Sequence, residues 1–168
     1  PPDYDNYSLS FDGEDDYVTT SLYPPYGNSA RSFEFYLKLN NTSVYSSIVH
    51  YGDGQEFNIM YGFNPSPPED DNWGIIINNG NWVLFSEITI DTNFHHYAIV
   101  MNSGDNLDEI ILYQDGVSHL VSNSDGDMTV NTTNDGQLSM GFGSLSIKGN
   151  LDELRVWNDV RTPAEVSA

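Results

Sequence analysis

The sequence predicts an all-β fold, a two-sheet antiparallel sandwich, and three observations carry that prediction. Short alternating segments recur along the chain, separated by turn dipeptides such as Asp53-Gly54, Asn79-Gly80 and Asp115-Gly116. The 11 Tyr, 8 Phe and 3 Trp suit half-buried strands, whereas the helix formers Lys and Arg together number only five. A chain of 168 residues, 38% hydrophobic, buries about 70% of its unfolded surface around one core. The expectation is a single domain over 1–168, with 1–7 as an N-terminal extension.

Taken in order, Leu9 to Val18 is a strand-like run in which carboxylates alternate with apolar residues. Ser21 to Asn28 holds Pro24-Pro25 between Tyr23 and Tyr26 and reads as an exposed loop. Ser32 to Leu39 then places Phe33, Phe35, Leu37 and Leu39 on one face and Glu34, Tyr36 and Lys38 on the other. Val44 to Tyr51, Glu56 to Phe63, Trp73 to Asn78 and Trp82 to Ile90 read as four further strands. Between them, Asn64 to Asn72 carries three prolines and must be a loop, since proline cannot donate to a ladder.

Phe94 to Met101 and Glu109 to Tyr113 are the most apolar runs and read as central strands. Val117 to Ser122, Gln137 to Phe142 and Ser146 to Trp157 bring the count to about twelve or thirteen strands. Thr162-Pro163-Ala164-Glu165 opens one short helical turn, with Thr as cap, Pro at the first position and Glu three residues on. The faces of these strands should bury Phe33, Phe35, Leu37, Ile99, Leu112, Leu154 and Val156.

Charge narrows the function. Five basic against 25 acidic residues give a net charge of −20. Nucleic acid is excluded as a partner, because phosphate binding needs Lys and Arg to displace counterions. The same charge opposes docking on anionic lipid, and no run of about 18 apolar residues could insert in a bilayer. Such an excess also favours bound cations that relieve self-repulsion. The absence of cysteine excludes disulfides, thiolate metal sites and a Cys nucleophile. A start at Pro1-Pro2-Asp3 reads as a mature or excised module.

Four segments now stand in a recognisable order. They are Leu9 to Val18, Phe33 to Leu39, His95-His96-Tyr97 followed by Leu112-Tyr113-Gln114-Asp115-Gly116-Val117, and Gly149 to Trp157 followed by Arg161 to Val166. This series resembles the laminin-G-like jelly-roll domains of the concanavalin A-like lectin/glucanase superfamily. The resemblance implies a jelly-roll sandwich with its first and last strands adjacent. It also implies a structural Ca2+ held by Asp12, Gly13 through its carbonyl, Asp15 or Asp16, and Asp152. The residue types suit that ion, which takes six to eight hard oxygens. Asn123 to Asp127 is also oxygen-rich but lacks the EF-hand placement of Gly and Glu, and reads as a turn.

His95 and His96 are adjacent on a strand, so alternation sends their rings to opposite faces and they cannot share one metal ion. No Glu-x-Asp-x-x-Glu, Gly-x-Ser-x-Gly or His-Glu-x-x-His motif appears, so no catalytic residue is assigned. Recognition of sugars remains, through aromatic faces that stack on rings and amides that read hydroxyls. Tyr23, Tyr26, Asn72 and Trp73 are the residues assigned to it, while Trp82, heading an apolar run, is assigned to the core.

The reading is therefore a noncatalytic, calcium-stabilised module that binds glycans or surface polymers in an extracellular or surface-exposed setting. Its partners would be glycans or surface proteins, including other subunits of a larger assembly. The alternative is a structural or interaction domain, such as a virion-surface decoration protein or an adhesin spacer, with no affinity for sugar.

Overall fold

The alternation of Phe33, Phe35, Leu37 and Leu39 is what joins the two layers: these side chains leave one sheet and pack on Tyr51, Phe57 and Ile59 of the other. The computed structural model describes residues 7–43, 45–52, 56–63, 73–124, 126, 128–133, 136–141 and 146–167; for Phe63 and Trp73 it describes the backbone only. In chain order the strands are β1 (Leu9–Asp12), β2 (Val18–Thr19), β3 (Arg31–Leu39), β4 (Ser46–Tyr51), β5 (Phe57–Phe63), β6 (Trp73–Asn79) and β7 (Asn81–Phe85). They continue as β8 (His95–Met101), β9 (Ile111–Gln114), β10 (Val117–His119), β11 (Asn123–Ser124), β12 (Ser139–Met140) and β13 (Lys148–Trp157). A six-stranded antiparallel sheet runs β1-β13-β3-β8-β9-β10, and a seven-stranded one runs β11-β7-β6-β5-β4-β12-β2.

Between the sheets the rings of Phe33 and Phe57 stack at 5.4 Å, and Phe35 lies 5.7 Å from Tyr97. Ile99 and Leu112 are fully buried as expected. Leu154 and Val156 pack on the core but are only half-buried, and a bulge between Asp152 and Arg155 shifts the register of β13 against β3. Glu153 takes a positive φ of 53° within that bulge.

The first and last strands are neighbours, with Leu9 opposite Leu151 and Asp12 opposite Lys148. The expected single run Leu9 to Val18 nonetheless splits. Gly13, at φ +85°, turns the chain out of β1, and β2 then joins the opposite sheet. Glu109 also departs from expectation: it ends a 3-10 turn, Leu107–Glu109, where it and Asn106 cap each other, so β9 begins only at Ile111. Asp115 and Gly116, at φ 51° and 79°, close the β9-β10 hairpin with the left-handed pair that a two-residue turn requires. The Asp53-Gly54 turn and the Asn64 to Asn72 loop lie outside the described residues.

At the C-terminus α1 (Pro163–Val166) starts as the sequence dictates. The Thr162 side chain accepts from Glu165 N, and the Glu165 side chain caps the Thr162 backbone in return. Val166 buries itself on the outer face of the six-stranded sheet against Ala98, Val100 and Tyr113. Among the described residues no helix is long and apolar enough to cross a membrane.

One position tests the tightness of the β3-β13 pairing. A side chain at Gly149 would strike the Lys38 carbonyl oxygen and crowd Leu39 Cα, which are backbone atoms that cannot swing aside. Gly149→Ala is therefore expected to cost about 2–3 kcal/mol, within the range for overpacking. That corresponds to a melting temperature lower by roughly 5–10 °C, read by thermal unfolding. An unchanged midpoint would mean that the two strands separate freely there.

Candidate functional site

The segment between β2 and β3 is tied down at both ends, and its aromatic side chains are left outside. Thr20 N donates to Leu138 O at 2.9 Å, and Leu138 N donates to Leu22 O at 3.0 Å. Gly27, at φ +61°, exchanges two backbone hydrogen bonds with Thr132, of 2.7 and 3.1 Å. Between these anchors Tyr23 and Tyr26 remain 59% and 55% exposed, on either side of the buried Pro24 and half-buried Pro25. Together with Pro24, Pro25 and the end of β13 they form an open depression of about 700 Å³, completed by Trp157 and Asn158.

Arg31 stands behind this loop and is fully buried. Its Nη1 donates to Pro25 O and to the Tyr51 hydroxyl, each at 2.5 Å, and its Nη2 to Gly27 O at 2.7 Å. The guanidinium also lies 5.4 Å from the Phe57 ring. Burial pushes the Tyr51 phenol up to about 12, although the charge and hydrogen bond of Arg31 pull the other way. Across the depression, the Arg161 guanidinium covers the Trp157 ring at 4.1 Å and pairs with Glu165 at 3.0 Å and Glu34 at 3.4 Å. Sequence reasoning treated Trp157 only as the end of a strand. Its placement follows from the bulge, which sets Val156 inward opposite Phe33 and Trp157 outward.

A second surface comes from register alone. His50, Asn58, Asn78 and Trp82 are successive cross-strand partners on β4 to β7, and Ser139 and Thr19 continue the row across β12 and β2. Their chain neighbours Tyr51, Phe57, Ile77 and Val83 point into the core, so the row faces outward. Several of its polar groups are engaged: Ser47 Oγ donates to Asn58 Oδ1 at 2.8 Å, Thr19 and Ser139 hydroxyls meet at 3.4 Å, and His50 Nε2 lies 3.1 Å from Glu56. Trp82 was assigned to the core but packs outside the sheet, on Met60, Ile76 and Leu84 with Tyr45. The Tyr45 ring lies where a side chain at Gly62 would be. Trp73 is placed by its backbone in β6 opposite Phe63, and Asn72 lies outside the described residues.

The acidic turn after β1 brings together part of the expected metal set. Oxygens of Asp12, Asp15 and Asp16 all lie within 4.8 Å of one another, on exposed side chains. The turn is fixed by Asp12 N donating to Asp16 Oδ2 at 3.1 Å and Glu14 N donating to Asp12 Oδ1 at 2.8 Å. Gly13 is required there, because a Cβ would come within 2.8 Å of Lys148 Cβ as well as needing positive φ. Asp152 does not join them. Asp12 faces Lys148 and Asp152 faces Tyr36, four residues further along β13, about 13 Å at strand rise. Its carboxylate instead accepts from Glu153 N at 2.8 Å, at the bulge.

The two histidines keep separate company. His95 Nδ1 lies 2.6 Å from Asp115 and its Nε2 3.1 Å from Asp91. Burial pulls its pKa down, but the bonds and charges of the two carboxylates outweigh that and leave it raised. His96 sits on the other face, 3.7 Å from the buried Glu34 and 5.0 Å from the Tyr36 ring; burial leaves its pKa lowered.

Comparison with known proteins agrees with this architecture. No curated protein sequence matches the chain. Among solved structures, the heptameric SAP-like pentraxin of Limulus polyphemus is 16% identical, with a TM-score of 0.67 over 95% of this chain and 79% of that one. Domain 4 of the extracellular arabinanase AbnA from Geobacillus stearothermophilus, in complex with arabinotriose, is 18% identical, with a TM-score of 0.59 over 95% and 69%. The IT-sialidase CBM40 of Ruminococcus gnavus, bound to α2,3-sialyllactose, is 10% identical, with a TM-score of 0.60 over 96% of each chain. These likenesses are of fold. The family model described as the concanavalin A-like lectin/glucanases superfamily matches residues 12–167, nearly the whole chain. With its two antiparallel sheets and adjoining first and last strands, the chain belongs to that superfamily.

Proposed function

We propose that this domain is a noncatalytic, calcium-stabilised carbohydrate-binding module of a secreted or surface-exposed protein, with its sugar in the depression of Tyr23, Tyr26 and Trp157. The observation that carries the reading is that depression itself: two exposed tyrosines on an anchored loop, facing an indole and an amide. Aromatic faces suit the apolar faces of sugar rings, and a few placed polar groups give orientation. Arabinotriose and sialyllactose, bound by two proteins of this fold, are ligands of the same chemical class. The noncatalytic part rests on the lining, where among the described residues no Asp, Glu or His stands to act as acid, base or nucleophile.

A glycan array probed with and without calcium tests this. Retention on one or more saccharides supports a sugar-binding module. Silence across the array, with the chain found in a multimer or on a particle, favours the structural alternative, a decoration or spacer domain.

Calcium enters the proposal through the acidic turn. Asp12, Asp15 and Asp16 would hold the ion with the Gly13 carbonyl, and three carboxylates so close together fit a cation that takes six to eight oxygens. At a hundredfold excess over Kd, binding adds about 2.7 kcal/mol to native stability. Chelator should then lower the melting temperature by several degrees. Asp16→Asn should remove that sensitivity and Asp152→Asn should keep it, because Asp152 stands apart. A midpoint indifferent to chelator would leave the turn as solvated carboxylates.

A further inference from the structure

We propose that His95 is a proton-operated clamp, which fastens the segment between β7 and β8 to the β9-β10 turn and releases it as the pH rises. Both ring nitrogens face carboxylates, and the two carboxylates come from different parts of the chain. Nδ1 lies 2.6 Å from Asp115 in the turn, and Nε2 lies 3.1 Å from Asp91 in the segment. A neutral imidazole has one N–H and one lone pair, so only the imidazolium donates to both. When one proton leaves, the shorter contact to Asp115 keeps the other, and Nε2 turns a lone pair on Asp91. The remaining bonds of Asp91 among the described residues are local, accepted from Asn93 N at 2.7 Å and Asn93 Nδ2 at 2.9 Å. The proton on Nε2 is therefore what ties this carboxylate to another element.

The charges that face the ring are those two carboxylates. On β8 the Tyr97 ring stands edge-on at 6.4 Å, neutral because burial pushes its phenol up, and His96 turns to Glu34 on the opposite face. From β3, Leu37 lies opposite His95, and the Lys38 ammonium is turned to the Phe94 ring at 5.9 Å. Burial opposes the charge on His95, but the bonds and charges of Asp115 and Asp91 prevail and leave its pKa raised. The stability this adds is full below the ordinary histidine value of 6.5 and is lost as pH rises through the raised one. On the acid side the Asn93 backbone N–H, helped by the Asn93 and His95 side chains, holds the Asp91 carboxyl low. Its contribution is present above the ordinary value of 3.8 and is lost as pH falls through the lowered one. The clamp is closed across that interval and opens above it. The opening is local, because Thr89 stays bonded to Gln114 at 2.6 and 2.7 Å, and Ile88 and Ile90 pack on the core.

The test is a nuclear magnetic resonance titration of the intact chain from about pH 5 to about pH 9, following the histidine ring nitrogens. His95 is expected to carry both ring protons at about pH 6.5, where a free histidine has lost half its charge. Asp91 and Asn93 should shift with the same midpoint while Thr89 stays still. Asp91→Asn, at a half-buried position, should move that midpoint down. Thermal unfolding gives a second readout. The gap between the parent and His95→Gln should be roughly 2–4 °C wider at about pH 5.5 than at about pH 8.5, the size expected of a partly exposed ion pair. The gap is read because His50, His96 and His119 titrate in both chains. A His95 midpoint at or below that of a free histidine, one that Asp91→Asn leaves unmoved, or a gap equal at both pH values overturns the clamp. If His95→Gln fails to fold, the titrations of the parent and of Asp91→Asn decide.

Discussion

Replacing Arg31 by methionine is expected to lower the melting temperature by roughly 10 °C. Methionine fills much of the space but donates nothing: Pro25 O keeps only the Tyr51 hydroxyl at 3.2 Å, Gly27 O keeps only Thr132 N at 3.1 Å, and the Tyr51 hydroxyl loses the guanidinium, in a fully buried setting. Buried acceptors stripped of a charged donor cost about 3–5 kcal/mol, and each kcal/mol moves the midpoint by about 2–4 °C in a chain of this size. Tyr51→Phe, which removes only one of the acceptors, should cost about 1 kcal/mol. Thermal unfolding followed by circular dichroism measures both. If Arg31→Met melts with the parent chain, the guanidinium does not hold the loop, and the aromatic depression is not built from behind.

The second large effect concerns binding with little change in stability. Tyr23→Ala combined with Tyr26→Ala should weaken glycan binding by about a hundredfold or more. Aromatic anchors at the centre of a site each contribute about 2 kcal/mol, and 1.4 kcal/mol is a factor of ten. The same pair should leave the melting temperature within a few degrees of the parent, because both rings are more than half exposed and belong to no buried cluster. A large fall in stability would identify the tyrosines as part of the core. Unchanged affinity in a stable protein would move the site elsewhere, and the outward row of Asn58, Asn78 and Trp82 is where it would go.

Features governed by local chemistry were legible in the sequence. The period-two pattern of Phe33 to Leu39, the Asp115-Gly116 hairpin and the Thr162 cap each depend on a few consecutive residues, and each stands as read. Exposure of Tyr23 and Tyr26 was legible too, because Pro24-Pro25 denies the loop a ladder. What escaped depends on pairing between distant segments. The row from Thr19 to Trp82 exists only through five strand registers, and Trp157 faces the depression only because a bulge at Glu153 shifts the phase of β13.

Asp152 was misplaced for the same reason. Adjacency of the first and last strands does not fix where along them two carboxylates sit, and here they lie four residues apart. Arg31 gave no signal at all: an arginine opening a strand looks like a solvent-facing charge until the loop folds over it. The Asn106–Glu109 turn was hidden by the apolar run that follows it, which reads as a strand from Glu109 onward.

A sugar held between the anchored tyrosine loop and the end of β13 is detected most directly by nuclear magnetic resonance titration. The chain, with calcium present, is titrated with the saccharide it retains best on the array, and backbone and indole resonances are followed. The largest shifts are expected at Tyr23, Tyr26, Asn158 and the Trp157 indole N–H. Shifts confined to Asn58, Asn78 and Trp82, or no shifts with any saccharide, would contradict it.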